Sequence, residues 1–324
     1  MKSLQEISAP VDQPLKEFSA GFSEVFKSKI PLLNIVLRYI VKQKGKQMRP
    51  MFVFLCAGAT GNINLKTHRA AALIELLHTA TLVHDDVVDN AYERRGFFSI
   101  NALWKNKIAV LAGDYLLAKG LLQSVHNDDF DLLKIVAEAT NEMSEGELLQ
   151  IEKARRLDIT EDVYFEIIRK KTASLIASCC ACGAASSGND HSMINHMLLF
   201  GTKAGIAFQI KDDLFDYQLD NKTGKPAGGD LKERKMTLPL IYTLQHASRK
   251  DKQYITHSLK KHSGDKKNAE KVIALVKEAG GLEYARKKMY DYREEALVLL
   301  HELPDSTYRQ SLEDLLIFTT ERTK

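Results

Sequence analysis

Apolar residues recur at intervals of three and four positions along most of the chain. The stretches that show it best are 71–89, 109–125, 132–155, 162–185 and 197–218. This spacing places the apolar side chains on one face of a helix with 3.6 residues per turn. No alternation of period two is long enough to predict a sheet. The pattern therefore predicts an all-α fold whose helices often approach about twenty residues.

Several of these stretches are apolar on more than one face, which is typical of the central helices of a bundle. The 324 residues include only 7 Pro and 18 Gly, so few helix breaks are expected. Hydrophobic residues make up 44% and charged residues 27%, as in an ordinary soluble globular protein with a large core. No linker divides the chain, and we expect one domain over residues 1–324.

Composition also excludes some classes of protein. A net charge of +4 without a basic stripe argues against a nucleic-acid-binding protein. The first eighteen residues lack the apolar segment of a signal peptide, and no run of eighteen apolar residues predicts a membrane span. Cys179, Cys180 and Cys182 have no second Cys/His pair at zinc spacing, so we interpret them as small residues in a helix interface. We expect reduced thiols and a cytoplasmic protein.

One long stretch, Leu219 to Met236, has no periodicity and is rich in Gly, Lys and Asp. It is either a solvated surface loop or a mobile basic lid over an anionic ligand. Composition alone does not choose between the two.

Two acidic clusters repeat one spacing, D-D-x-x-D, inside apolar helices. The first is Asp85, Asp86 and Asp89, and the second is Asp212, Asp213 and Asp216. Residues four apart share a helix face, so the carboxylates of each cluster project together. Like charges weaken a helix, and a partly buried cluster needs cations. Two such helices facing each other would form a cavity lined by carboxylates.

Oxygen ligands of this kind select hard cations, above all Mg²⁺, which also keeps water and substrate phosphates as ligands. His84 points about 100° away from Asp85 around the helix, so we interpret it as a packing residue or an indirect support of the site. Cations follow the first cluster and recur near the N-terminus, in KKTASL and in the stretch 219–236, and Arg and Lys are the usual partners of phosphate. They are Lys46, Arg49, Arg94, Arg95, Lys171, Lys225 and Lys235. Together these residues predict a diphosphate ligand bound with Mg²⁺.

The motifs around these residues resemble those of the trans-isoprenyl diphosphate synthases, also called polyprenyl synthetases. The resemblance covers nearly the whole chain. The matching motifs are GKQMRP (45–50), ELLHTATLVHDDVVDNAYERRG (75–96), GDYLLAK (113–119), EGELLQ (145–150), KKTASL (170–175), GIAFQIKDDLFDY (205–217) and GKPAGGDLKERKMTLPLI (224–241).

This resemblance implies the isoprenoid synthase fold, in which long, mostly antiparallel helices surround a deep central cavity. It implies a homodimer and a head-to-tail condensation of isopentenyl diphosphate with an allylic diphosphate such as farnesyl diphosphate. The allylic diphosphate ionises, isopentenyl diphosphate attacks the cation and a proton is lost. We expect no nucleic-acid partner and at most transient contact with a membrane when the product leaves.

The family pattern also implies roles for individual residues. The six carboxylates of the two clusters would hold about three Mg²⁺ ions that bridge the allylic diphosphate. Asp85, Asp86, Asp89, Lys171, Asp212 and Asp213 would be the catalytic residues. The allylic diphosphate would contact Arg94, Lys171, Thr172, Gln209, Lys225 and Lys235. Isopentenyl diphosphate would contact Lys46, Arg49, His78 and Arg95, without metal.

Two small residues bear on the length of the product. Ala80 and Thr81 precede Asp85 by five and four positions, about one helical turn below the carboxylates. In short-chain relatives one or both are aromatic and block the growing tail. The resemblance is therefore to the long-chain class, close to octaprenyl diphosphate synthases that supply quinone side chains. A shorter farnesyl or geranylgeranyl product is the alternative.

Other activities fit the sequence less well. A terpene cyclase shares the helical fold but usually carries a different second metal motif, and a head-to-head synthase would favour D-x-x-x-D spacing. An inactive regulatory subunit typically loses the acidic clusters, which this chain keeps. Without the resemblance, a Mg²⁺-dependent phosphatase is the rival enzyme class.

Overall fold

The structure is a computed structural model that describes residues 2–42, 45, 47–94, 96–156, 159–218, 229–261 and 265–322. Almost all of this part of the chain is helical, and its only strands are the two-residue pair β1 (Glu93–Arg94) and β2 (Phe97–Phe98). The predicted all-α fold is confirmed. The single domain over residues 1–324 stays a prediction.

The helices follow the apolar stretches of the sequence. They are α1 (Leu4–Ser8), α2 (Asp12–Val25), α3 (Pro31–Lys42), α4 (Met48–Thr60), α5 (Leu65–Val88), α6 (Ile100–His126), α7 (Phe130–Arg156), α8 (Glu161–Ile168), α9 (Ser174–Ser186), α10 (His191–Phe215), α11 (Gly229–Lys232), α12 (Leu238–His246), α13 (Arg249–Lys261), α14 (Lys266–Glu278), α15 (Gly281–His301) and α16 (Thr307–Glu321). A 3₁₀ turn (Ala9–Val11) joins α1 to α2, and a π-helical turn (Arg169–Ala173) joins α8 to α9.

Helix α5, which carries the first acidic cluster, is fixed at both ends. Asn64 caps its first turn by accepting hydrogen bonds from the backbone N–H groups of Lys66 and Thr67. The Asn64 amide also donates to the carbonyl of Ser186 on α9, at 2.8 Å. At the other end Asn90 adopts a left-handed φ of 50°, which ends the helix just after Asp89. The cluster therefore occupies the last turn of α5.

The buried apolar residues form two clusters that share helices. The larger cluster packs α2, α4, α5 and α9 together, and the smaller one surrounds α8 and α12. Helix α10 contributes Phe200 to the first and Ile210 to the second, and α15 contributes Leu300 and Met289 in the same way. Because α10 and α15 belong to both clusters, they connect the two halves of the bundle.

Helices α9 and α10 approach each other through small residues. A Cβ added to Gly201 would lie 2.6 Å from the Cα of Ala177, and one added to Gly205 would lie 2.6 Å from the Cα of Ala173. The cysteines of α9 are buried and form no disulfide. Their interpretation as small residues in a helix interface is therefore confirmed.

One face of α6 has no partner among the residues that the structure describes. Val110, Leu111, Leu121, Leu122 and Val125 are exposed on it, while Leu116 is fully buried against the core. By length and composition alone, α6 is the one helix in the described part of the chain that could cross a membrane, and 33% of the relevant window is buried. It therefore combines a packed inner face with an apolar outer face.

We expect Gly201→Ala to lower the free energy of unfolding by about 1–3 kcal/mol, because the new methyl group meets the backbone of α9. Gly21→Ala is the matched control. Gly21 lies in α2 with nothing within 4 Å of an added Cβ, so the change should raise stability by about 0.5–1 kcal/mol. Urea unfolding monitored by circular dichroism measures both. Equal effects at the two positions would contradict the close packing of α9 and α10.

Candidate active site

A cavity of about 700 Å³ lies in the bundle and reaches the first acidic cluster. Helix α5 lines it with Asp85 and Asp86, and Arg49 and His78 line it as well. Asp86 is buried with 3% of its surface exposed, whereas Asp85 and Asp89 are exposed. Asp89 closes the helix end and does not line the cavity. Two of the three predicted carboxylates thus face this space.

The second acidic cluster lines a neighbouring cavity of about 480 Å³. Asp212, Asp213 and Asp216 all contribute to its wall, as do Gln209 and Lys235. Lys171, Thr172 and Arg322 line both cavities. The two clusters, distant in sequence, therefore border adjacent spaces that meet at one group of polar side chains.

The π-helical turn places two predicted contact residues where the cavities meet. Lys171 pairs with Glu147 and donates to the amide oxygen of Gln150 at 3.3 Å. The Thr172 hydroxyl donates to the Gln209 amide oxygen at 2.7 Å. A π-helical turn widens a helix locally and is common at functional sites. Here it turns two consecutive polar side chains toward the cavities.

Asp213 is buried and held by two donors. The Tyr164 hydroxyl donates to one of its oxygens and the Gln209 amide to the other, each at 2.7 Å. Burial, reinforced by the nearby Asp230 carboxylate, raises the pKa of Asp213 from 3.8 to about 7, although the two hydrogen bonds oppose the shift. Asp213 is thus anchored in a buried position by two uncharged donors.

Asp216 binds backbone rather than a side chain. Its carboxylate accepts hydrogen bonds from the backbone N–H groups of Gly229 at 2.8 Å and Asp230 at 3.1 Å, at the start of α11. Burial and the Asp230 carboxylate raise its pKa to about 6. Any cation that Asp216 binds would compete with these two N–H donors.

Asp212 already has a cationic partner, Arg322, which directly follows α16. The Arg322 guanidinium also lies 4.8 Å from the ring centroid of Phe208 and 5.3 Å from that of Phe215. Arg322, Tyr164 and Asp230 were not predicted from the sequence. None stands in an acidic cluster, and no spacing along the chain links them to one.

The remaining predicted residues are Lys235, those that the structure does not fully describe, and His84. The Lys235 ammonium lies 2.6 Å from a carboxylate oxygen of Glu233 and 3.6 Å from one of Asp230. Lys46, Arg95 and Lys225 lie outside the described residues, as do 219–228 of the loop or lid, and Arg94 is described only by its backbone in β1. His84 contacts Val110 and Asp114 of α6 and lines neither cavity, so of its two interpretations, packing residue or indirect support of the site, the contacts favour the first.

The two residues predicted to set product length differ in position. Thr81 lines the larger cavity, and its hydroxyl donates to the carbonyl of His78 at 2.9 Å. Ala80 is 2% exposed and lies behind the cavity wall. Residues 116–125 of α6, all of which the structure describes, do not line the cavity. Met143, Leu175 and Ile176 also line the cavity.

The donor set fits a hard divalent cation. All the candidate ligands are carboxylate oxygens, and burial raises the pKa of two of them, Asp213 and Asp216. Within the described residues, no three acidic, His or Cys side chains lie close enough to hold an ion by themselves. Mg²⁺ prefers one or two carboxylates together with water and substrate phosphates, so this arrangement suits an ion that arrives with a diphosphate.

Comparisons with known proteins agree with this geometry. A family model described as polyprenyl synthetase matches residues 30–276. An all-trans-nonaprenyl-diphosphate synthase (geranyl-diphosphate specific) of Rhodobacter capsulatus is 41% identical over 320 residues, covering 98% of each protein. Octaprenyl diphosphate synthase of Escherichia coli is 34% identical over 321 residues, covering 99% of each. A polyprenyl synthase of Caulobacter crescentus, crystallised with calcium and isoprenyl diphosphate, superposes with a TM-score of 0.91 at 29% identity, covering 99% of this chain and 98% of that one.

The raised pKa of Asp213 predicts how stability depends on pH when divalent ions are chelated. Folding penalises the ionised form, so the penalty is complete above about pH 7 and fades as the pH falls toward 3.8. The shift corresponds to at most about 4 kcal/mol. We expect Asp213→Asn to raise the free energy of unfolding more at about pH 8 than at about pH 6.

Urea titrations of both proteins at the two pH values test this expectation. The difference between them isolates Asp213 from His68, whose burial lowers its pKa and acts in the opposite direction. A difference between variant and parent that is the same at both pH values would show that Asp213 carries no such penalty.

Proposed function

Because the chain belongs to the polyprenyl synthetase family, we propose that it condenses isopentenyl diphosphate head to tail onto an allylic diphosphate, with Mg²⁺ bound at the acidic clusters. It is a prenyltransferase of the long-chain all-trans type, like the two relatives named above. The proposed product has about eight or nine isoprene units, as the names of those relatives state for them. Such products are precursors of quinone side chains.

One observation carries the proposal. Two acidic clusters that lie far apart in sequence border adjacent cavities, and Lys171, Thr172 and Arg322 line both. A diphosphate at this junction would lie between carboxylates on two sides and within reach of cationic side chains. Mg²⁺, when bound with it, would supply positive charge where the leaving diphosphate becomes negative.

The residues of the chain then have distinct tasks. Lys171 would bind a diphosphate oxygen in place of Glu147, its partner in the structure. Thr172 donates to Gln209, and Gln209 donates to Asp213, so these two side chains would hold the second cluster in place beside that diphosphate. Leu82, Leu175 and Phe208 line the larger cavity and would exclude water from the allylic cation. The released diphosphate would accept the proton, so no side chain need act as the base.

We also propose that the protein is a homodimer and that it works in the cytoplasm. The homodimer is supported by the apolar outer face of α6, where five large aliphatic side chains are exposed. Single soluble proteins seldom expose a continuous apolar surface of this kind without a partner. A second copy of the chain would cover it.

The direct test supplies purified protein with Mg²⁺, farnesyl diphosphate and labelled isopentenyl diphosphate, and resolves the extracted alcohols by length. We expect a ladder that ends near eight or nine units, as in the relatives' names. Asp85→Ala should lower turnover by roughly 10²-fold or more, because it removes a charge that acts mainly in the transition state. Release of phosphate without incorporation of isopentenyl diphosphate would overturn the proposal in favour of a phosphatase.

Asp291→Ala is the control for that experiment, since Asp291 is an exposed residue of α15. It should keep normal turnover. Both variants should also unfold at the temperature of the parent, so that a loss of activity reports the site rather than the fold.

The position of Thr81 in the cavity wall predicts a second outcome. Thr81→Phe should shorten the product, because the ring would fill the space one turn below the carboxylates. Thr81→Val, which keeps the shape of the side chain, should leave the length unchanged. Liquid chromatography of the products measures both, and an unchanged ladder in Thr81→Phe would mean that the tail follows another path.

A further inference from the structure

The exposed face of α3 is apolar in its first half and basic in its second. Leu32 and Ile35 are 47% and 57% exposed, and Arg38 and Lys42 are exposed as well. Together with Tyr39, these residues fall within an arc of about 120° around the helix, at 3.6 residues per turn. The opposite side of α3 is buried in the core. The outer face of α3 is therefore an amphipathic surface.

The hairpin of β1 and β2 extends this surface with aromatic rings. The Tyr39 hydroxyl donates to the carbonyl of Phe98 at 2.8 Å, and the Tyr39 ring centroid lies 6.4 Å from that of Phe97. Both phenylalanines are nearly half exposed, and Tyr92, whose ring contacts that of Phe98, is more exposed still. The apolar part of this surface, here called the α3–hairpin surface, consists of Leu32, Ile35, Tyr39, Tyr92, Phe97 and Phe98.

The sequence that forms this surface is strongly basic. From Phe26 to Pro50 there are seven Lys or Arg residues and no Asp or Glu, and from Arg94 to Gly113 there are four and again no acid. Glu93 is the one acidic residue of the hairpin. Arg38 and Lys42 form no ion pair with any other residue that the structure describes. The surface therefore carries positive charge that the chain leaves unbalanced, which suits an anionic partner.

Among anionic partners, a phospholipid bilayer fits this combination of side chains best. Exposed aromatic and aliphatic residues beside Lys and Arg are typical of surfaces that bind the interface of an anionic membrane. A protein partner fits less well, because the buried centres of protein interfaces are poor in Lys. A second copy of the chain, related by two-fold symmetry, would place this basic surface against itself.

We propose that the α3–hairpin surface docks the protein on an anionic phospholipid bilayer. Ile35 and the phenylalanine rings would enter the boundary between head groups and acyl chains, and Arg38 and Lys42 would contact lipid phosphates. The surface shares no residue with the apolar outer face of α6, which the proposed homodimer would use. Docking itself does not depend on the proposed function.

The position of α3 gives the docked protein a use for the bilayer. Ile40 and Val41, on the inner side of this helix, line the larger cavity. A bilayer on the outer face of α3 would therefore lie one helix away from the cavity. This consequence rests on the proposed function: an apolar product would leave the cavity close to the phase that dissolves it.

Sedimentation with lipid vesicles tests the apolar part of the surface. We expect the parent to bind vesicles of phosphatidylglycerol and phosphatidylcholine, to bind those of phosphatidylcholine alone much less, and to be released by salt. Ile35→Glu should lower the partition constant by roughly tenfold or more, because it removes apolar contact and adds a repelled charge. Val298→Glu is the matched control at an exposed position of α15 and should bind like the parent.

A pair of double variants tests the charge. Each Lys or Arg near an anionic membrane strengthens binding roughly fivefold, so Arg38→Gln with Lys42→Gln should lower the partition constant by roughly 30-fold. Arg249→Gln with Lys250→Gln removes the same net charge from exposed positions of α13 and should bind like the parent.

The single tryptophan reports which surface meets the bilayer. The ring centroid of Trp104 lies 5.2 Å from that of Tyr39, within the α3–hairpin surface. Brominated acyl chains quench the fluorescence of a tryptophan that lies close to them. We expect the parent to be quenched by anionic vesicles that contain brominated lipid, and Ile35→Glu to be quenched much less. Binding without quenching would show that another surface of the protein meets the membrane.

Other results would overturn the inference. No binding to anionic vesicles, or equal binding to neutral ones, would exclude docking on an anionic bilayer. Conversion of a dimer to monomers by Ile35→Glu, measured by analytical ultracentrifugation, would show that a second copy covers this surface. If the parent binds vesicles but incorporates no isopentenyl diphosphate, the proposed function fails while the docking surface stands. Incorporation without vesicle binding would give the reverse result.

Discussion

The structure depends on where it concentrates negative charge. Both acidic clusters occupy the last turn of a long helix, α5 in one case and α10 in the other. The carboxyl end of a helix already carries partial negative charge, so carboxylates there are repelled by the helix dipole as well as by each other. At the second cluster folding adds to this cost, because burial and the Asp230 carboxylate raise the pKa values of Asp213 and Asp216. Asp212 is paired with Arg322, which follows α16. Such an arrangement is stable mainly when cations are bound, which is why it suits a site for metal ions and diphosphate.

The scaffold holds these two helix ends at a fixed spacing. Helix α10 packs on α9 through glycines that permit backbone contact, and α9 in turn packs against α5 and α4. The π-helical turn that leads into α9 carries Lys171 and Thr172, so the same packing places the cations and the carboxylates. One chain of hydrogen bonds joins Thr172, Gln209, Asp213 and Tyr164. A shift of the π-helical turn, α8 or α10 would therefore move the carboxylates of the second cluster.

Features that repeat along the chain could be predicted from the sequence. Apolar periodicity indicated the helices, and the repeated D-D-x-x-D spacing indicated both clusters and the cation they need. Local backbone choices could not be predicted in this way. The π-helical turn has no compositional signal, and Lys105 interrupts α6 with a φ of 70° where glycine would be expected. The roles of Tyr164, Asp230 and Arg322 depend on contacts between distant segments, and periodicity carries no information about those.

The Asp216 carboxylate can hold the start of α11 or bind a cation. Its hydrogen bonds to the backbone of Gly229 and Asp230 hold the start of α11, the element that also leads to Lys235. A cation that draws the Asp216 oxygens toward the cavity must loosen that helix start, and an ordered α11 must in turn weaken the hold of Asp216 on the cation. Thermodynamic linkage makes the two effects equal in size. Cation binding at Asp216 and the ordering of α11 are therefore two parts of one equilibrium.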